Sequence, residues 1–452
     1  MRKGLHSNSP SFRTHWGIMN SIFDRIDEEP IFEPAGTGMA CLIILKQTLL
    51  LLITTPLGLA FGLPYLLLRL VVSRPPNIPS PRSVRRYLRK SIFAHEEVLV
   101  SMRLRLLLSM LLFLSACPLL AFAWYLDDVL FRGYRREVIS KPLFLITASR
   151  SGSTQLSQYL EDNPQIVSHP FLLQSFPYIW LWKLLPKLVG RWFSEEKVYK
   201  MLADAIRPEF LERKELHPFK PETYEVVFSV SQLVNHSYAM GPKMFAEGYG
   251  WGRPTPENIH FWQEDLVNNI DAIGKKLLYF AGPNSDGTPK TLLIKGHFLG
   301  SASVLEQKYP DAHFLTMLRH PSARIRSIIN FFRVAPEVCR NGAIPWSWLV
   351  YYGQTVEVDY CLYEKEWYQG HPDNATVIRF RDYVADLEKT LKTIYDRCLP
   401  HIDSNACIHQ IHAQRKRTGY SVDRSYAQLH IDEKVLLEPL RDYIAWVEQD
   451  DG

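Results

Sequence analysis

The stretch Phe144–Gln155 reads FLITASRSGSTQ, and it decides the fold of the chain. A short apolar run is followed by a loop of small residues, and a helical pattern begins at Ser153. Unpaired backbone N–H groups at the start of a helix point outward and suit a phosphate or sulfate. Gly152 lets the chain approach an anion closely, and Arg150 adds a positive charge. The stretch therefore predicts a strand, an anion-binding loop and a helix; an ordinary strand–helix turn capped by Ser153 is the alternative.

Three more apolar runs in the C-terminal part of the chain have the same character as the first. They are TLLIKGH at 291–297, HFLTMLRH at 313–320 and ATVIRFRD at 375–382. Each precedes a helical pattern, at Ser303–Gln307, Ser322–Phe332 and Val384–Arg397 respectively. Alternating strands and helices predict an α/β fold with a P-loop-like central parallel sheet flanked by helices. Residues 171–270 are rich in aromatic side chains and are expected to form a helical cap over this sheet.

A second chemical motif lies in the stretch Phe314–Ser327. Arg319 ends a predicted strand, and Ser327 lies eight positions later on the next predicted helix. Both are expected near the carboxyl edge of the sheet, where α/β proteins bind ligands. A guanidinium and a hydroxyl together suit a phosphate monoester. Arg324 and Arg326 are expected to point to solvent.

Several classes of function are excluded or disfavoured. A nucleoside-triphosphate P-loop needs GxxxxGK[ST], and the loop at 149–154 has neither the lysine nor the second glycine. The net charge of +5 is mild and does not indicate a nucleic-acid binder. No Cys/His spacing typical of zinc is present, so no metal site is expected. Two disulfides and four ordinary thiols remain alternatives for Cys339, Cys361, Cys398 and Cys407.

The N-terminal third predicts attachment to a lipid bilayer. Its parts are a polar tail (1–39), a hydrophobic membrane segment (40–72), a basic loop (73–105) and a transmembrane helix (106–126). The uncharged runs Gln47–Leu68 and Leu106–Leu126 would each extend roughly 30 Å as a helix, the thickness of a bilayer core. The first run contains Pro56 and Pro64, so a kinked span and a re-entrant hairpin remain alternatives.

The charge of the loop at 73–105 predicts a topology. The positive-inside rule keeps such a basic loop in the cytosol. If both runs span, the domain at 141–450 faces the lumen or exterior. We therefore expect an integral membrane protein of the Golgi or another endomembrane with a lumenal C-terminal domain; the loop is alternatively a surface for anionic lipid.

The C-terminal domain resembles the sulfotransferases that use 3′-phosphoadenosine-5′-phosphosulfate (PAPS). SRSGST at 149–154 stands where that family has its 5′-phosphosulfate loop, and Arg319 and Ser327 match its 3′-phosphate pair. IKGH at 294–297 resembles the family's IKTH, and the tail RKRTGYSVDRSYAQLHIDE resembles its late basic element. The resemblance covers most of 141–450. Arg150 replaces a lysine and Gln155 a tryptophan of the cytosolic drug-sulfating branch, and the late basic element resembles the bacterial-like branch in particular, so the chain resembles the bacterial-like branch more closely.

The resemblance implies roles for individual residues in PAPS binding and transfer without a metal. The implied nucleotide-binding residues are Arg150, Ser151, Gly152, Ser153, Thr154, Arg319, Ser327, Lys416 and Arg417. Arg150 meets the leaving phosphate and is catalytic, together with His297, which is the general base. His169 and His320 are the rivals of His297 for that role.

The function implied is transfer of a sulfuryl group from PAPS to a hydroxyl or amine by in-line displacement. The acceptor is hydrophobic (a lipid or sterol) or a glycan, and the sequence does not separate these classes. Residues considered for its pocket are Phe171, Phe176, Tyr178, Trp180, Trp182, Phe261 and Trp262, which are equally well explained as core or membrane-facing aromatics. The alternatives are a P-loop-like kinase or nucleotidase and a non-catalytic membrane scaffold.

Overall fold

The computed structural model contains one five-stranded sheet within the residues that it describes. The described residues are 37–93, 100–184, 220–233, 253, 263–339, 353, 356–404, 424–429 and 431–449. The strands are β1 (Leu143–Ile146), β2 (Ile166–Val167), β3 (Thr291–Gly296), β4 (His313–Leu318) and β5 (Ala375–Arg379). They pair in the order β2-β3-β1-β4-β5, and every pair is parallel. The predicted α/β class with a central parallel sheet is therefore confirmed.

The helices that surround this sheet follow the predicted alternation. In chain order they are α1 (Thr37–Leu68), α2 (Pro81–Tyr87), α3 (Val100–Leu130), α4 (Ser153–Glu161), α5 (Phe171–Ser175), α6 (Tyr224–Ser231), α7 (Gln263–Ala281), α8 (Ala302–Lys308), α9 (Pro321–Cys339), α10 (Glu357–Gly370), α11 (Phe380–Ala385), α12 (Leu387–Cys398), α13 (Glu433–Leu437) and α14 (Arg441–Glu448). The predicted helix Val384–Arg397 is in fact divided at Asp386, which has an extended backbone and caps α12 by accepting from the Lys389 N–H. An N-cap residue leaves helical geometry, so the division follows from the cap.

The sheet is covered on both faces. Side chains alternate along β1, so Phe144 and Ile146 join a core on one face while Leu143 and Leu145 join a core on the other. α7 and the end of α3 contribute to the first core, and α4 and α12 contribute to the second. Coverage of both faces explains why β1 reads as an unbroken apolar run.

α1 and α3 pack side by side and run in the same direction. Gln47 Nε2 donates to Ser109 Oγ at 2.7 Å, and the Thr54 and Ser115 hydroxyl oxygens lie 2.7 Å apart. Their backbones come close at Gly58, where an added Cβ would lie 2.4 Å from the Ser115 carbonyl oxygen. Two successive spans joined by a short loop would be antiparallel, so this arrangement differs from the one expected. The stretches Ile44–Leu68 and Leu106–Leu130 are long and apolar enough to cross a membrane, which suggests membrane association.

The C-terminal end of α3 is fixed to the rest of the fold by a buried ion pair. Asp127 accepts from the Lys276 ammonium at 2.8 Å, and both side chains are fully buried. The same carboxylate accepts from the backbone N–H groups of Ile179 and Trp180. The ammonium also lies 3.3 Å from the centre of the Trp124 ring. Because loss of one partner would leave the other charge buried, this cluster holds α3 firmly against α7.

The segment that follows α1 also contacts the C-terminal domain. Arg74 forms an ion pair with Asp265 of α7 at 2.6 Å. The Pro76 carbonyl accepts from the side-chain amides of Gln232 and Asn269. The predicted topology separated the basic loop from this domain by a bilayer, whereas these contacts place the start of the loop against the domain.

Candidate functional site

The candidate site lies at the edge of the sheet where β1, β3 and β4 end. β1 is the middle one of these strands, and all three are parallel. The loop 149–154 follows β1, His297 follows β3, and Arg319 follows β4. The carboxyl ends of parallel strands share one edge. The structure thus brings together three motifs that are far apart in the sequence.

The loop after β1 has a backbone that requires glycine at one position. Gly152 has a φ of +97° and is the N-cap of α4. A Cβ there would lie 2.8 Å from the Phe380 ring and 3.3 Å from the Met317 sulfur. The Ser151 hydroxyl donates to the Ala148 carbonyl at 2.8 Å, so it fastens the loop internally. The loop is therefore tight, and its shape depends on the absence of a side chain at Gly152.

Two guanidinium groups and a hydroxyl form a cluster beside this loop. Arg150 Nε donates to Ser327 Oγ at 3.2 Å, and Arg319 Nη1 donates to the Arg150 carbonyl at 2.8 Å. The Arg319 guanidinium stacks over the Phe380 ring, 4.8 Å from its centre. Two neighbouring positive charges favour a bound anion, and the ring restricts the orientation of one of them. The predicted pair Arg319 and Ser327 is thus joined to the predicted loop through Arg150.

Lys295 also belongs to the site, although sequence reasoning did not single it out. Its side chain is almost completely buried, and its ammonium donates to Thr154 Oγ1 at 2.6 Å and lies 4.0 Å from the Glu222 carboxylate. Burial lowers the pKa of Lys295, the charge of Arg150 lowers it further, and Glu222 and Glu225 oppose the shift. β3 is buried at every position, and a buried lysine needs polar partners. The lysine within the apolar run TLLIKG was therefore the sequence signal that could have identified this residue.

His297 is held in one tautomer at the end of β3. Its Nδ1 lies 2.6 Å from the Thr147 carbonyl oxygen, which can only accept, so Nδ1 carries the hydrogen. The neutral ring then has its lone pair on Nε2. The backbone N–H of His297 donates to the Glu225 carboxylate at 3.0 Å, and the residue is partly exposed. This geometry suits a proton acceptor at the sheet edge.

Glu225 is a buried carboxyl group that supports this turn. Burial raises the pKa of Glu225 to about 8. A Cβ at Gly296 would lie 2.6 Å from the Glu225 carboxylate and 2.0 Å from the Phe298 ring. The close approach of α6 to the end of β3 therefore depends on Gly296.

The two rival histidines occupy different surroundings. His169 is fully buried, its Nε2 accepts from the Lys295 backbone N–H at 2.9 Å, and burial lowers its pKa to about 3. His320 is partly exposed, accepts from the Ser322 N–H, and lies 3.6 Å from the Glu448 carboxylate. His169 is thus a structural group beneath the site, and His320 contacts Glu448 at the end of α14.

Other sequence expectations have different outcomes. Arg324 does not point to solvent: it is fully buried and forms an ion pair with Glu357, so that expectation was wrong. Cys361 and Cys398 are free buried thiols, so they do not take part in disulfides. Within the described part of the chain, no group of three or more His, Cys, Asp or Glu side chains could hold a metal ion. The predictions for Lys416, Arg417, Phe261 and Trp262 lie outside the described residues.

Three of the considered aromatic residues belong to, or pack against, the core that includes the end of α3. Tyr178 and Trp182 are buried in the core, and the Trp180 indole donates to the Ala123 carbonyl at 3.1 Å. The Tyr178 hydroxyl accepts from the side-chain amide of Asn77. For these three residues the contacts favour the role of core aromatics.

Comparisons with known proteins agree with this architecture. A family model described as the sulfotransferase family matches residues 142–400. Among solved structures, sulfotransferase STF9 from Mycobacterium avium superposes with a TM-score of 0.61 at 11% identity, covering 82% of this chain and 93% of its own. Sulfotransferase STF1 from Mycobacterium tuberculosis gives a TM-score of 0.49 at 15% identity over 80% of this chain and 90% of its own. No curated protein sequence matches the chain.

The family match includes the loop after β1, the end of β3, and both members of the Arg319 and Ser327 pair. It extends over more than half of the sequence, and the first solved structure shares the fold. This chain therefore belongs to the sulfotransferase family.

Proposed function

We propose that the chain transfers a sulfuryl group from PAPS to a hydroxyl, or an amine, of an acceptor. The observation that carries the proposal is the joining of two anion sites at one sheet edge. The loop 151–154 starts a helix, and Arg319 and Ser327 lie beside it, linked through the Arg150–Ser327 contact of 3.2 Å. A nucleotide with phosphate groups at both 5′ and 3′ positions matches two such sites.

The donor is held from both ends. Backbone N–H groups of 151–154 cradle the 5′-phosphosulfate at the start of α4. Arg319 and Ser327 hold the 3′-phosphate. Because the Ser327 oxygen accepts from Arg150, its own hydrogen is available to a phosphate oxygen. Arg150, at the junction of both sites, neutralises charge on the leaving phosphate. Lys416 and Arg417 are proposed to close over the nucleotide.

The reaction is an in-line displacement at sulfur. The acceptor oxygen forms a bond to sulfur while the bond from sulfur to the phosphate oxygen breaks, and adenosine 3′,5′-bisphosphate leaves. His297 takes the acceptor proton on Nε2, and the Thr147 carbonyl stabilises the resulting imidazolium through the Nδ1 hydrogen. Lys295 orients Thr154 toward the donor. These residues position groups and stabilise charge, as in phosphoryl transfer.

A lipid or sterol hydroxyl is the acceptor that we favour. Glu225, at the start of α6, holds the backbone of His297. Gln232, which caps the other end of α6, bonds to Arg74 and Pro76, which lie six and eight residues after the end of the apolar helix α1. α6 has eight residues and is therefore about 12 Å long. The proposed base thus lies about one short helix from the segment that follows the apolar helix α1, within reach of an amphiphile in a membrane.

Ligand-dependent thermal unfolding tests the donor site. The full chain is expected to be stabilised by adenosine 3′,5′-bisphosphate, since ligands that bind only the native state raise its melting temperature. Stabilisation by Mg-ATP alone would instead favour a kinase or nucleotidase. A chain stabilised by neither nucleotide would contradict the proposal and would favour the alternative of a non-catalytic membrane scaffold.

A further inference from the structure

The parallel packing of α1 and α3 restricts how the chain can meet a membrane. Gln47 contacts Ser109 near one end of the pair, and the Phe61 and Phe122 rings lie 5.4 Å apart further along. Equivalent positions on the two helices therefore lie at equal depth. If a bilayer were crossed by α1, it would also be crossed by α3 in the same direction.

The segment that connects the end of α1 to the start of α3 must then run back along the whole length of the helix pair. Ile78, after α1, packs against Cys117 and Ala121 of α3. The chain re-enters α3 at Val100, which lies about 25 Å back along the helix at 1.5 Å per residue. The π-helical turn Leu88–Phe93 contacts α3 on the way. Two full spans in parallel would therefore require the chain between Ile78 and Val100 to cross the bilayer as well.

The charge of this connector opposes such a crossing. Arg82, Arg85 and Arg89 are exposed on its surface. Moving an arginine from water to the centre of a bilayer is disfavoured by roughly a hundredfold in the partition coefficient. The outward surface of α1, in contrast, is apolar. Its exposed large residues are Leu42, Leu45, Leu49, Leu50, Leu52, Ile53, Leu57, Leu59, Leu63, Leu66 and Leu67.

We propose that α1 and α3 do not cross the bilayer but insert together into one leaflet of an anionic membrane. The apolar surface of α1 enters the acyl region, while Arg82, Arg85 and Arg89 meet anionic headgroups. The connector, the N-terminus and the C-terminal domain then all lie on one side of the membrane. This arrangement follows from the parallel packing of the helices and the charge of the connector, and it does not depend on the transferase reaction.

The arrangement also fixes the C-terminal domain relative to the membrane surface. Asp127 and Lys276 join α3 to α7, and Arg74 joins the segment after α1 to Asp265. The domain is thus attached at the C-terminal ends of both apolar helices. Its acceptor would come from the leaflet into which the helices insert.

Three accessibility probes in sealed vesicles test the proposal. The full chain carries a protease-cleavable tag at each terminus and the substitution Arg89→Cys at an exposed position. The new thiol is labelled with a membrane-impermeant maleimide. The chain without this substitution serves as the control for labelling of the natural thiols. In some molecules the C-terminal domain faces the outside of the vesicle, so that protease added outside cleaves the C-terminal tag. In these molecules we expect the N-terminal tag to be cleaved and the new thiol to be labelled without detergent. A protected N-terminal tag would show that α1 crosses, and a protected thiol with both tags cleaved would show an antiparallel hairpin. Either result overturns the proposal.

The role of anionic headgroups has a separate test with a matched control. Arg82→Gln, Arg85→Gln and Arg89→Gln together are compared with a control that changes Lys389, Lys392 and Arg397 to Gln; those residues lie exposed on α12, at the opposite face of the sheet. Each basic residue near an anionic surface contributes about fivefold in binding. The first variant should lose about a hundredfold in association with vesicles containing phosphatidylserine, and the control should lose none. Equal loss in both variants, or no loss in the first, overturns the assignment of the connector to the headgroups.

Discussion

Replacing Gly152 by alanine tests whether the loop after β1 is shaped for an anion. Gly152 has a φ of +97°, and an added Cβ would lie 2.8 Å from the Phe380 ring. Gly282 has a φ of +69° with nothing within 4 Å of its added Cβ, so Gly282→Ala is a matched control. A positive φ costs an L-residue about 1–2 kcal/mol in either variant. The contact with Phe380 should add about 1–3 kcal/mol to the stability loss of Gly152→Ala alone.

The same substitution should also weaken ligand binding, because the Phe380 ring supports the Arg319 guanidinium at 4.8 Å. Disturbing one charge-assisted hydrogen bond is worth about 1.5–3 kcal/mol, which corresponds to roughly tenfold to more than a hundredfold in affinity. Denaturant unfolding measures the stability of both variants, and titration calorimetry measures adenosine 3′,5′-bisphosphate affinity. If Gly152→Ala bound the bisphosphate as tightly as Gly282→Ala, the argument that this loop and Arg319 form one anion site would be refuted.

Three further perturbations test other parts of the site. Arg319→Ala should weaken adenosine 3′,5′-bisphosphate by roughly tenfold to more than a hundredfold and adenosine 5′-phosphate very little, measured by calorimetry; equal losses would show that Arg319 does not read the 3′-phosphate. His297→Ala should lower turnover by about 10²–10⁴ while the bisphosphate affinity is unchanged; near-normal turnover in a folded variant would exclude His297 as the base. The folded-state pKa of Glu225, about 8, lies above that of an ordinary carboxyl group, so the stability that this group contributes is present at low pH and is lost as the pH rises through 8. Glu225→Gln should therefore flatten the fall in melting temperature between pH 5 and 9, and an unchanged slope would assign the pH dependence to other groups.

The main strands were predictable because both faces of the sheet are covered. Burial on both faces makes β1 and β3 read as apolar runs, and the parallel-sheet rule then places the loop at 149–154, His297 and Arg319 at one edge. β2 was missed because two residues are too short to form a pattern. The strand order, with β1 between β3 and β4, is not encoded in any local pattern.

Features that depend on tertiary contacts were not predictable from the sequence. Lys295 has a local signal, but its partner Thr154 is apparent only when β3 lies beside the loop. Arg324 sits on a helix where arginines usually face solvent, and only the fold supplies Glu357 as its partner. The parallel direction of α1 and α3 follows from the course of the connector, which hydropathy does not record.

Transfer of labelled sulfate tests the central claim most directly. The purified full chain is incubated with ³⁵S-labelled PAPS and with separate membrane-lipid, sterol and glycan fractions, and His297→Ala is run in parallel. The account predicts label in a lipid or sterol fraction, release of adenosine 3′,5′-bisphosphate in equal amount, and loss of both with His297→Ala. Label in the glycan fraction alone would contradict the proposed acceptor. No label in any fraction, from a protein that binds the bisphosphate, would contradict the sulfotransferase activity itself.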